Sequence, residues 1–307
     1  MPDLLQIGGI TDTMKEQLEA AFTIHQTSRY NADEITHIVT NGHDGVKPDL
    51  MASLPNLKMI SGYGVGYDAI DADEAARRGI IVTHTPNVLN EEVATTAVLL
   101  MLMCYREALR DDAYARTGAW EAKGGAPLTR SPENQTIGIL GLGRIGQAIA
   151  DKLAPWSPTV VYHTRSEKDV PYTYYDNLVA MAHDCDVLIC ITPGGASTNK
   201  IVNAEVMEAL GPKGTLINVA RGSVVDEAAM IDALSSGRLG WAGLDVFEAE
   251  PHIPEALCAL PNTVLLPHVG SATVETRVAM GALTVGNLLQ HLKDGTVISA
   301  VPECAHL

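Results

Sequence analysis

Short runs of aliphatic and β-branched residues alternate with segments of helical spacing along most of the chain. In the first third, strands are predicted at 4–7, 35–39, 57–60 and 80–83, with helical spacing at 14–22, 49–54 and 72–78 between them. Residues 91–110 follow, without Gly or Pro and dense in Ala, Leu and Met. They predict one long buried helix, a rod joining two domains. Periodicity breaks from 116 to 134, where TGAW, KGGAP and RSPEN are loop chemistry. A second series of strands is predicted at 136–140, 159–162, 187–191, 215–219, 241–244 and 264–266, with helices between most of them. A last helical stretch, 274–291, can lead the chain back to the first domain. Strand and helix alternating in this way specify α/β architecture with parallel sheets. Two such domains result, the second beginning near residue 92.

Composition narrows the picture. At 307 residues the chain has the length of about two domains. Its 46% hydrophobic and 19% charged content is ordinary for a globular protein. The formal charge of −16 opposes binding to nucleic acid or to an anionic membrane, and the densest basic cluster is only Arg77-Arg78. The five cysteines are scattered and never spaced C-x-x-C, so they predict free thiols in a reducing compartment, neither bridges nor a zinc site. The longest apolar run, 97–104, is far short of the ~20 residues of a membrane span, and the amino terminus lacks a basic n-region. A cytoplasmic protein is expected.

Residues 136–150, TIGILGLGRIGQAIA, place G-x-G-x-x-G between a β-branched strand and a helical pattern. Gly141 permits a tight turn, Gly143 the close approach of a pyrophosphate, and Gly146 close packing of helix on strand. Leu142, Arg144 and Ile145 complete the loop, and the helix N-terminus offers N–H groups to phosphate. Dinucleotides differ at the end of the next strand, where an acid would take a ribose 2′-hydroxyl. There the chain reads Thr164-Arg165-Ser166, with no acid before Glu167. A guanidinium flanked by hydroxyls suits a 2′-phosphate, so NADP(H) is favoured over NAD(H). Thr192 and Pro193, past the strand at 187–191, are further cofactor candidates.

Three more segments fall at strand ends, where open α/β sheets bind ligands: Asn218-Val219-Ala220-Arg221-Gly222, Leu244 to Pro251, and Leu266 to Ala272. Arg221 can fork a substrate carboxylate while polarising the adjacent carbonyl oxygen. His268 can protonate that oxygen as hydride arrives, and Glu250 can hold the ring and favour its charged form. Asp245 assists, and Val219, Ala220, Asp245, His268 and Gly270 are candidates to line the cofactor. Glu248, beside Glu250, is expected to be a solvated charge.

The chain resembles the D-isomer-specific 2-hydroxyacid dehydrogenases over nearly its whole length. The resemblance is carried by GYGVGYDAID at 62–71, GLGRIG at 141–146, NVARGSVVD at 218–226, GLDVFEAEP at 243–251 and LPHVGSAT at 266–273. Matched position by position, Arg221, Glu250 and His268 stand where the family has its catalytic residues. Val65 and Gly66 match the loop whose backbone N–H groups take the substrate carboxylate opposite Arg221. Thr95 departs from the pattern, since relatives often carry an acid there. The resemblance implies two doubly wound parallel-sheet domains. A flavodoxin-like substrate domain, discontinuous over 1–91 and 275–307, would wrap a Rossmann-type cofactor domain at 92–274. It also implies a homodimer built through the cofactor domains. The eighteen residues from Glu250 to His268 and the PHVGSAT ending look like the glyoxylate/hydroxypyruvate and hydroxyphenylpyruvate reductases, a branch that generally prefers NADPH. The expected activity is NADPH-dependent reduction of a small anionic 2-oxo acid to the D-2-hydroxy acid. The alternative is a dinucleotide-sensing corepressor, because the family also contains transcriptional partners. Formate oxidation on this fold needs no Glu partner for a protonating His, and the Arg–Glu–His set argues against it.

Overall fold

In the computed structural model, which describes residues 1–307, every pairing between strands is parallel. The chain divides into two units, Met1–Leu89 with Ala272–Leu307, and Asn90–Ser271. The sequence reading puts the crossings at 91/92 and 274/275, a few residues later in each case.

The first unit contains β1 (Asp3–Gln6), α1 (Asp12–Glu19), β2 (Thr23–Gln26), β3 (Ile35–Asn41), α2 (Pro48–Ala52), β4 (Met59–Tyr63), α3 (Ala72–Arg77) and β5 (Ile81–Thr83). Its sheet order is β2-β1-β3-β4-β5, a doubly wound, flavodoxin-like arrangement. All five residues of β4 are buried, as for a central parallel strand covered on both faces. The second unit runs through α4 (Asn90–Tyr105), α5 (Ala108–Arg116), α6 (Ala119–Lys123), β6 (Thr136–Leu140), α7 (Arg144–Leu153), β7 (Thr159–His163), β8 (Thr173–Tyr174), α8 (Leu178–Asp184) and β9 (Val187–Cys190). It continues with α9 (Ala204–Leu210), β10 (Thr215–Asn218), α10 (Glu227–Ser235), β11 (Trp241–Leu244), α11 (Glu255–Cys258) and β12 (Thr263–Leu265). Its seven strands are ordered β12-β11-β10-β9-β6-β7-β8, so strand order reverses at β6 and β9, the switch point of a Rossmann-type sheet. Finally α12 (Val274–Asp294) belongs to the first unit. Thr273 caps its start through the Thr276 N–H, and Gly295, at φ 80°, ends it. Ser61 of β4 donates to the Thr284 carbonyl of α12 at 3.0 Å.

Three sequence expectations are corrected. The helix expected over 91–110 is two helices, broken at Glu107, whose φ is +43°. The break is tertiary: the Tyr105 carbonyl accepts the Arg130 N–H, and the Arg130 guanidinium lies 4.2 Å from the Tyr105 ring and 3.7 Å from that of Trp241. The first of the two helices lies wholly in the second unit, against α7, so it is a core element of that unit. The stretch read as loop contains α6, and β2 and β8 were not anticipated. Both strands are short edges with few buried residues, which erases the alternation that marks a strand. No helix is long and apolar enough to cross a membrane.

Candidate active site

At the switch point of the second unit, β6 runs into Gly141, at φ 102°. A Cβ on Gly141 would lie 2.7 Å from the Thr192 nitrogen after β9, so only glycine lets the two strand ends abut. A Cβ on Gly146 would lie 2.5 Å from the Gly141 carbonyl oxygen, which fixes how closely α7 packs on the turn. Gly143 differs: a Cβ there would meet no protein atom within 4 Å, and the residue is exposed. The first turn of α7 has no acid and no side-chain cap, and Leu142 behind the loop is buried. A glycine cradle opening on uncapped N–H groups fits a pyrophosphate. Past β7, Thr164 donates to the Ser166 carbonyl at 2.7 Å, while Arg165 and Ser166 are exposed. This tight turn presents the guanidinium outward, ahead of Glu167. Beyond β9 the Pro193 carbonyl accepts the Thr198 hydroxyl at 2.8 Å, closing the turn that holds Thr192 and Pro193.

The chemistry-bearing side chains lie on three loops at the carboxyl ends of β10, β11 and β12. Asn218, buried at the end of β10, accepts the Ala220 N–H and donates to the Arg221 carbonyl at 2.9 Å, bending the chain around Val219 and Ala220. Arg221 Nη1 donates to the Ala220 carbonyl at 2.7 Å, and the residue is half-buried. Gly222 presses on the next loop: a Cβ would fall 1.9 Å from the Phe247 carbonyl carbon. In that loop Glu250 Oε1 accepts the Phe247 N–H at 3.0 Å, and Oε2 lies 2.7 Å from His268 Nδ1. A carboxylate partner on Nδ1 makes that nitrogen the donor and leaves Nε2 as the ring's other proton-carrying atom. Asp245 anchors the third loop. Its carboxylate accepts the Val269 and Gly270 N–H groups at 2.7 and 2.8 Å, and its backbone carbonyl accepts the His268 N–H at 2.8 Å. These bonds hold His268 at φ +53°, a region L-residues rarely adopt. Burial pushes the Asp245 carboxyl above its usual range, against the opposing pull of those two N–H groups and of His268.

Residues 98–270 match the model of the D-isomer-specific 2-hydroxyacid dehydrogenase NAD-binding domain. The chain is 44% identical to a 2-ketogluconate reductase of Gluconobacter oxydans, over 98% of both chains. It is 46% identical to a glyoxylate/hydroxypyruvate reductase of Arabidopsis thaliana, over 88% of this chain and 86% of that one. Among solved structures, an NADPH-dependent glyoxylate/hydroxypyruvate reductase of Sinorhizobium meliloti, in complex with NADP and malonate, superposes with a TM-score of 0.93. Its identity is 45%, over 99% of this chain and 97% of that one. The chain belongs to the D-isomer-specific 2-hydroxyacid dehydrogenase family.

This dehydrogenase is an NAD(P)-dependent enzyme that interconverts 2-oxo and 2-hydroxy acids. Its second unit alone brings together Gly141 with Thr192, the Arg221 loop with the Glu250 loop, and Asp245, Gly270, Glu250 and His268 with one another. Val65 and Gly66 lie in the first unit, on the half-buried loop after β4. Several participants escaped the sequence reading. Thr96 donates to the Gly270 carbonyl at 3.2 Å, whereas the Thr95 hydroxyl is taken by the Glu91 carbonyl of its own helix. Glu248 is the exposed, solvated charge expected, and it also pairs with Lys200 at 3.3 Å while its N–H donates to the buried Glu227. Asn218 and Gly222 act through backbone geometry, which NVARG as a string does not disclose.

Proposed function

We propose that the enzyme reduces glyoxylate, hydroxypyruvate and related small 2-oxo acids, extending to sugar acids such as 2-ketogluconate, to the D-2-hydroxy acids, with NADPH as donor. The observation that carries this reading is the 2.7 Å contact of His268 with Glu250, in the same unit as the Arg221 loop. The guanidinium of Arg221 binds the substrate carboxylate in a fork and draws charge from the carbonyl oxygen. His268 Nε2 delivers the proton to that oxygen, and Glu250 steadies the positive ring before it does so. The amides of Val65 and Gly66 act as further donors to the carboxylate. Gly141 to Gly146, Thr192, Pro193, Val219, Ala220, Asp245 and Gly270 form the proposed bed of the dinucleotide, which when bound supplies the hydride. Arg165, exposed between two hydroxyl residues with no acid before Glu167, favours the 2′-phosphate of NADPH.

The functional unit we propose is a cytoplasmic homodimer. Burial pushes the thiol pKa of Cys104, Cys185 and Cys190 up to about 12, which makes these free cysteines poor nucleophiles. The test is Arg221→Lys, assayed with NADPH against glyoxylate, hydroxypyruvate and 2-ketogluconate. An ammonium cannot reproduce a two-point fork, so kcat/KM should fall at least ~100-fold with charge conserved. Wild-type kcat/KM in this variant would refute the assignment.

A further inference from the structure

The loop proposed to hold the substrate carboxylate is hung by its carbonyl groups from the residues just past β5. His84, the first residue past β5, has Nδ1 2.9 Å from the Val65 carbonyl oxygen. A carbonyl oxygen can only accept, so the proton of this bond sits on Nδ1. The next residue, Thr85, donates its N–H to the Gly64 carbonyl at 2.8 Å. In a trans planar peptide the C=O and N–H point in opposite directions. Each of these two peptides therefore turns its N–H, that of Val65 or of Gly66, away from the partner that holds its carbonyl. Those are the two groups assigned to the carboxylate.

His84 is itself held on several sides. Its N–H donates to the Ser299 carbonyl at 3.2 Å, and its own carbonyl accepts the Ser299 hydroxyl at 2.7 Å. Ser299 is fixed by the fully buried Asn287 of α12, which accepts its N–H and donates to its hydroxyl at 2.9 and 2.8 Å. The Tyr67 ring meets the imidazole edge-on, with centroids 5.4 Å apart, and its hydroxyl donates to Glu303. We infer that His84 is a positioning residue for the reaction: its Nδ1–H holds the Val65 carbonyl and so aims the Gly66 N–H at the substrate carboxylate.

The inference rests on the proposed role of Val65 and Gly66, so the experiment separates the two. Steady-state kinetics with glyoxylate and NADPH, and melting temperature, are measured for His84→Leu, His84→Asn and Val65→Pro. His84→Leu removes the donor and should raise KM for glyoxylate about tenfold, the scale of one hydrogen bond. KM for NADPH should stay within twofold, and kcat should change less than KM. His84→Asn keeps an N–H donor of similar reach and should restore KM to within about twofold. If Leu fails to fold, His84→Ala takes its place in the same comparison. A purely structural role would lower melting temperature and raise both KM values without rescue by Asn, and that pattern overturns the inference. Val65→Pro deletes one N–H outright. A raised KM there with no effect of His84→Leu overturns the His84 inference alone. An unchanged KM in both Val65→Pro and His84→Leu overturns the loop's role and the inference with it.

Discussion

Replacing Glu250 by Gln is nearly isosteric, yet it leaves the side chain with two incompatible demands. The carboxylate accepts twice, from the Phe247 N–H through Oε1 and from His268 Nδ1 through Oε2. A glutamine has one acceptor oxygen and one NH2 group. If its oxygen stays on Phe247, the NH2 faces Nδ1, which must then become an acceptor and carry its proton on Nε2. If the amide flips, His268 keeps an acceptor but the Phe247 turn loses one. The proposed reduction draws on a doubly protonated ring, and the loss there is that of one charge-assisted hydrogen bond. Such bonds contribute about 1.5–3 kcal/mol. The His268 side chain is 45% exposed and that of Glu250 14%, so solvent screening puts the effect near the lower end. About 1.5–2 kcal/mol corresponds to a fall of ~10–30-fold in reductive kcat/KM. Oxidation needs Nε2 free of its proton, which the wrong tautomer hinders, and at one pH the fixed equilibrium constant makes its kcat/KM fall by the same factor while the cofactor affinities hold. The assay is initial rates in both directions at saturating cofactor, with NADPH affinity measured separately by fluorescence. Wild-type rates in both directions, with NADPH affinity unchanged, would refute the pairing.

Three further outcomes are expected. Arg165→Ala should weaken NADPH binding by ~1–3 kcal/mol and leave NADH nearly untouched; a wild type preferring NADH tenfold would contradict the reading of this turn. His37 is buried in β3 with Nε2 3.0 Å from His291 Nδ1, and its pKa is pushed down to about 4 by burial, then by His291 and Lys58. Because the folded value lies below the unfolded one of about 6.5, its stabilisation is complete above pH ~6.5 and is lost as pH falls toward 4, by about 3 kcal/mol in all. The melting-temperature gap between wild type and His37→Gln should narrow over that window, and a gap constant from pH 7.5 to 4.5 would count against it. The hydroxyl of Thr85 is buried without a hydrogen-bond partner, so Thr85→Val should raise stability by about 1 kcal/mol in chemical denaturation, and a loss of that size would disprove the assignment.

The sequence makes legible whatever depends on local pattern. Alternating apolar runs announce two parallel-sheet units, and GLGRIG declares its turn because Gly141 and Gly146 stand where the structure leaves no room for a Cβ. It also offers Arg221, Glu250 and His268 as the residues proposed for the chemistry, since each follows a strand. What is illegible is whatever is decided at a distance. The break at Glu107 follows from Arg130 taking the Tyr105 carbonyl and stacking on Trp241, contacts no window of a dozen residues contains. Edge strands such as β2 and β8 bury too little to leave a period. The support beneath His268 is likewise long-range, Asp245 reaching two N–H groups more than twenty residues onward.

The bare α-carbon at Gly222 has a consequence for anyone redesigning this enzyme. With the Phe247 peptide filling the space of a Cβ, the loop that carries the arginine and the loop that carries the glutamate interlock like adjoining gear teeth. Neither can be lengthened, shifted or decorated without displacing its neighbour and, through Glu250, the imidazole. Libraries that diversify these two loops should consequently yield mostly dead clones, and changes in substrate range have to be sought in other loops.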